Sequence, residues 1–157
     1  MKRLLVFVLL LVLALVAVRM SQAESDPRIG TWKLNLAKSD LGSGPAPASQ
    51  TRTYEAKGSE LMATTETVDA KGTHTTSNYN ATADGKDHPT GPADRGTSIS
   101  IKQLGPGSYA GTSKKDGKVV ATNRAVISGG GKVFTFTTKG TDAQGKAVTT
   151  VAVYDKQ

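Results

Sequence analysis

The sequence predicts an all-β fold, a single antiparallel up-and-down meander barrel of about 8–10 strands. Three observations carry this. Turn signals recur roughly every 8–14 residues, the spacing of strands joined by tight hairpins. No segment after residue 24 sustains a 3.6-residue apolar period. Threonine occurs 20 times, all after residue 24, and its β-branched side chain favours strands over helices.

Residues 1–23 read as a leader outside the fold. Lys2 and Arg3 precede an unbroken apolar run, Leu4 to Val18, and Ser21-Gln22-Ala23 then places small residues at the −3 and −1 positions of a cleavage site. That is the pattern of a secretory signal peptide. The run is shorter than the ~20 residues of a spanning helix, so no membrane span is expected once it is removed. The chain holds no cysteine, so an exported domain over residues 24–157 has to rest on its apolar core alone. Lys2, Arg3 and Arg19 leave with the leader, which takes the formal charge from +7 to +4, seventeen cations against thirteen carboxylates. The remaining lysines sit mostly beside Gly or Asp in turns, without the basic clusters and interleaved aromatics of nucleic-acid binding. No nucleic-acid partner is expected.

The first strand runs from Ile29 to Lys38, with Trp32, Leu34 and Leu36 on one face and Thr31, Lys33 and Asn35 on the other. Asp40 to Ala48 carries two prolines and two glycines and reads as a loop, a flap over one end of the barrel. Further strands are predicted at Gln50–Ala56, Leu61–Val68, Thr73–Ala81, Thr97–Leu104, Ser108–Lys114, Val119–Ile127, Val133–Lys139 and Ala147–Tyr154. Between them lie Gly- and Asp-containing breaks such as Lys57-Gly58, Asp116-Gly117 and Gly129-Gly130-Gly131. Asp84 to Arg95 is rich in Pro and Gly and reads as loop, with room for a short edge strand near Lys86–Pro89. No long crossover interrupts the order, which favours a closed meander over a sandwich.

Gly30-Thr31-Trp32 at the start of the first strand resembles the Gly-x-Trp signature of the calycins, the group of lipocalins and fatty-acid-binding proteins. The hairpin Lys115-Asp116-Gly117-Lys118 with Arg124 downstream, the run Lys132 to Gly140, and the C-terminal Val151 to Lys156 are similar to the fatty-acid-binding branch. The opening also resembles that of small exported bacterial proteins, which brings no function with it. The calycin resemblance implies a Trp32 packed at the closed end of the barrel beneath a ligand cavity. It also implies that Arg124 and Tyr154 match two of the three residues that hold a fatty-acid carboxylate. The third position, an arginine in that family, is Ala152 here. The family's helical lid has no counterpart, and no C-terminal arginine covers Trp32.

Read for chemistry, the remaining residues are sparse. Tyr54, Tyr79 and Tyr109 are expected at barrel ends, ring packed and hydroxyl wet. His74 and His88 are the only histidines, too few for a zinc site of three or four ligands, so no metal is expected. No cysteine or Gly-x-Ser-x-Gly elbow supplies a nucleophile, and no catalytic residue, enzyme activity or cofactor is expected. Thr135, Thr137, Thr150 and Ala152 are small, and three Phe and one Trp give no large aromatic plug. The sequence therefore points to an extracytoplasmic barrel, periplasmic or secreted. It is expected to bind a small apolar or amphipathic molecule non-covalently, with Arg124 and Tyr154 as ligand-binding anchors. The other reading is a barrel with a filled interior that serves as a structural or protein-interaction module. The oligomeric state is left open.

Overall fold

A computed structural model describes residues 25–91, 95–142 and 145–157. The leader and its cleavage site lie outside the described residues, as do positions 92–94 and 143–144. Ten strands follow in order: β1 (Gly30–Leu34), β2 (Ser49–Lys57), β3 (Glu60–Val68), β4 (His74–Asn80), β5 (Asp84–Pro89), β6 (Thr97–Gly105), β7 (Ser108–Lys115), β8 (Lys118–Ser128), β9 (Val133–Thr141) and β10 (Ala147–Lys156). All belong to one sheet in the order β4-β3-β2-β1-β10-β9-β8-β7-β6-β5, every pair antiparallel. The first and last strands pair, so the meander wraps on itself. This is the antiparallel up-and-down meander barrel that the sequence predicts. The break in the wall falls between β4 and β5, neighbours in sequence that form the two edges of the sheet.

Two strands depart from the sequence reading. β1 ends at Leu34, not Lys38, because Asn35 starts a 3₁₀ turn over Leu36–Lys38. Its side-chain oxygen accepts from the Lys38 amide at 3.2 Å. Ser39 then fastens the detour: its hydroxyl donates to the Asn35 carbonyl at 2.7 Å and accepts the Val153 amide at 2.9 Å. Asp40 resumes pairing with Val151. Leu36, assigned by alternation to the face of Trp32 and Leu34, is consequently exposed. β5 is a full strand where only a short edge strand was expected. It carries a register irregularity beside Gly85 (φ 76°), three charged side chains and a terminal proline, features that discourage further strand pairing at an edge.

Strand direction divides the barrel into a base and a mouth. The turns at 57–60, 80–84, 105–108 and 128–133 lie at the base with the chain's entry into β1. The 39–48 segment and the turns near 70, 116 and 144 lie at the mouth. The buried core gathers at the base, around Trp32, Ala63, Ala81, Tyr109 and Phe134. Trp32 is fully buried, its indole N–H donating to the Arg28 carbonyl at 2.8 Å. Lys156, its register partner on β10, places Nζ 4.9 Å from the indole ring centroid. A lysine thus takes the covering role for which the sequence offered no arginine. Gly30 accommodates it: the residue has φ +122°, and a Cβ there would stand 3.0 Å from the Lys156 side chain.

Candidate functional site: the barrel cavity

Above this base the barrel is hollow. A cavity of about 580 Å³ occupies its interior, within the range of small-molecule pockets. Leu41 and Pro47 reach it from the 39–48 segment, which therefore covers the mouth as a flap. At the seam, Ser77 and Asn78 of β4 both line the cavity and are both exposed. Successive strand residues point to opposite faces, so the cavity runs out around the edge of β4.

The apolar wall is a connected run of rings. Trp32 and Phe134 lie 5.1 Å apart, Phe134 and Phe136 4.3 Å, Phe136 and Tyr154 5.7 Å, and Tyr54 and Phe134 5.9 Å. Few aromatics, concentrated on the inner faces of β1, β2, β9 and β10, form a column leading from the base into the cavity. The sequence count alone suggested no such feature. Phe134 and Phe136 point inward, so Thr135 and Thr137 point out, while Thr150 and Ala152 line the cavity.

The polar side of the cavity centres on Arg52, which the sequence reading did not single out. It sits on the inner face of β2, opposite Trp32 on β1 and Thr65 on β3. Its guanidinium lies 4.6 Å from the Phe136 ring centroid and 5.0 Å from that of Tyr154. Its Nε is buried without a hydrogen-bond partner, and no carboxylate among the described residues lines the cavity. Burial by itself would pull the Arg52 pKa down. Its contacts with Tyr54, Tyr154 and Tyr79, a hydrogen bond with Tyr54 among them, outweigh it and push the pKa up, and the guanidinium stays charged. Burial raises the Tyr54 and Tyr154 pKa values, keeping both phenols protonated as donors. The Tyr154 hydroxyl donates to Gln50 Oε1, and Gln50 Nε2 donates to Thr67 Oγ1 at 2.9 Å. A fixed cation and a short polar relay thus share one side of a chamber whose other lining is apolar, hydroxyl and amide side chains, with Arg28 of the base below.

The two sequence-predicted anchors are separated by the structure. Tyr154 is buried in the cavity wall. Arg124 is exposed on the outer surface, where Nη2 donates to Ser108 Oγ at 3.1 Å. The parity that grouped Arg124 with Val120, Thr122 and Val126 holds, but that face points to solvent and Ala125 points in. On a strand, that assignment inverts with a one-residue change of register. Tyr54 and Tyr79 also line the cavity instead of sitting wet at a barrel end. The signal for Arg52 was the alternation Gln50, Arg52, Tyr54 against Thr51, Thr53, Glu55. Both faces of that strand are polar, so periodicity did not say which one faces in. His88 accepts or donates one bond with Asp84 at 3.0 Å, and no group of three metal-ligating side chains occurs among the described residues.

Comparison with solved structures returns barrels. The chain is similar to a zebrafish ileal bile acid-binding protein complexed with cholic acid, at 13% identity and a TM-score of 0.49, covering 83% of this chain and 99% of that one. It is also similar to the siderocalin Ex-FABP, at 8% identity and a TM-score of 0.39, covering 83% of this chain and 71% of that one. No family model matches the chain, and no curated protein matches it.

Proposed function

We propose that this chain is an exported calycin-type barrel that binds a small amphipathic molecule non-covalently. The apolar part lies along the aromatic column, and an acidic group sits on Arg52. The observation that carries this reading is the Arg52 guanidinium, held charged inside the cavity with Nε unpartnered and no carboxylate among the described residues lining the chamber. An unpaired buried charge is costly; a bound carboxylate would supply the missing partner through charge-assisted hydrogen bonds. Tyr154 stands beside Arg52 and offers a second polar contact. Arg124, outside the barrel, has no part in this. A filled interior, the other reading of the sequence, does not account for a chamber of about 580 Å³.

The test compares oleate with oleyl alcohol, the same chain without the charge, by calorimetric titration of residues 24–157. Oleate should bind at least about tenfold more tightly, the worth of one hydrogen bond to a charged group. Arg52→Leu should erase that difference, and Arg124→Ala should leave it intact. Equal affinity for acid and alcohol, or a difference that survives in Arg52→Leu, overturns the assignment.

A further inference from the structure

We propose that the β7–β8 hairpin is a docking element for a lipid bilayer carrying anionic headgroups. It lies at the mouth of the barrel, one residue beyond Ser113 of the cavity wall. Register across the hairpin slips at its tip. Ser113 faces Ala121 and Lys114 faces Val119, which leaves Val120 as an extra residue. Such a bulge re-aims side chains. Regular alternation would put Val119 on the inner face with Ala121 and Asn123. Instead Val119 and Val120 are 59% and 48% exposed, two adjacent apolar side chains both in solvent.

The charges beside them are arranged against the hairpin's own stability. Lys115 and Lys118 are direct register partners, and like charges opposed across two strands are destabilising. Arg95, exposed on the neighbouring turn, adds a third cation, its carbonyl accepting from Lys115 Nζ. Among the described residues the carboxylates here are Asp116, 3.9 Å from Lys115, and Asp87 of β5, 2.7 Å from Lys114. Exposed valines beside opposed lysines suit a surface that offers acyl chains and negative headgroups together. A soluble polyanion would account for the cations and leave the valines unexplained. A second copy binding through its outer Glu55, Glu60 and Glu66 would likewise meet the cations and leave the valines unexplained. Among the described residues no helix is long and apolar enough to cross a membrane; the contact proposed here is peripheral. It is independent of the ligand reading, since an empty barrel would dock equally well.

The experiment is co-sedimentation of residues 24–157, which hold all ten strands without the apolar leader, with phosphatidylcholine vesicles containing or lacking phosphatidylglycerol. Binding should require phosphatidylglycerol and weaken with salt. The pair Val119→Ser with Val120→Ser should weaken it about tenfold. Lys115→Glu with Lys118→Glu should weaken it by more than about fivefold per site. Circular dichroism and the oleate titration should be unchanged in both, which separates lost docking from a lost fold or a lost ligand site. The proposal is overturned if the protein ignores anionic vesicles or binds both vesicle types alike. It is also overturned if the valine pair binds as wild type while heparin displaces the protein, which would make this a polyanion surface. Concentration-dependent self-association that the valine pair abolishes, without vesicle binding, would make it a contact between copies.

Discussion

Two arginines lie inside this barrel, one at the base and one in the cavity, and their surroundings are opposite. At the base, Arg28 has each of its nitrogens engaged. Nε and Nη2 donate to the two Asp26 oxygens at 2.9 and 2.6 Å, Nη1 donates to the Ala81 carbonyl at 2.7 Å, and the guanidinium lies 4.2 Å from the Tyr109 ring centroid. This ties the lead-in to β1 to the β4–β5 connection and closes the base. In the cavity, Arg52 has rings against its faces, tyrosine hydroxyls beside it, a bare Nε and no carboxylate among the described residues that line the chamber. A buried charge with a full set of partners serves the fold. One that keeps a bare nitrogen is what the proposed ligand reading needs.

The sharpest way to break the contrast is to make Arg28 resemble Arg52. Asp26→Ala leaves Arg28 buried without its carboxylate and should cost about 3 kcal/mol, the lower end for broken buried pairs, since Asp26 is 30% exposed. Urea unfolding at neutral pH measures this. Burial would raise the Asp26 pKa, but the bonds and charge of Arg28 outweigh it and hold it below 3.8. A carboxylate depressed in the folded state adds stability that is present above its unfolded pKa and lost as pH falls through the folded one. The gap between wild type and Asp26→Ala should therefore be full at neutral pH and close progressively below pH 3.8. A gap that ignores pH would mean the carboxylate matters for packing and not for its charge.

The reverse change sharpens the contrast from the other side. Arg52→Leu removes a charge that nothing in the cavity neutralises and keeps an apolar side chain against Phe136. Stability should hold or rise by about 1 kcal/mol, as when buried ionic groups give way to well-packed hydrophobes. Thermal unfolding without ligand measures it. A loss as large as that of Asp26→Ala would show that Arg52 serves the fold, and the ligand reading would fall with it.

The same pair of regions shows what the sequence could tell. The barrel was legible because hairpin chemistry is local: Asp-Gly, Gly-Pro-Gly and Gly-Gly-Gly breaks mark turns wherever they occur. Trp32 was legible because its strand has one apolar face. Tyr154 was placed in the cavity by a resemblance carried by residues near it. Arg124 was turned inward and Arg52 passed over because β8 and β2 each mix residue types on both faces, so nothing local distinguishes inside from outside. The Asp26–Arg28 clamp was not legible either. Its partners, Ala81 and Tyr109, come from distant stretches and meet only when the meander closes.

The gentlest test is at the edge of the base. Lys156 covers Trp32 with its ammonium 4.9 Å from the ring centroid, but it is exposed. Lys156→Ala should cost about 0.5 kcal/mol, typical of an exposed cation–π contact, and Lys156→Arg should keep it. The figure is small because water solvates the lysine in either state, whereas Arg28 has no water to fall back on. Urea midpoints for Lys156→Ala and Asp26→Ala side by side would show whether the base is held from within or from its rim. A larger loss for Lys156→Ala would move its weight to the rim, where β1 and β10 pair. Arg28 would then be a second charge that the fold tolerates without depending on it, and its contrast with Arg52 would lose its meaning.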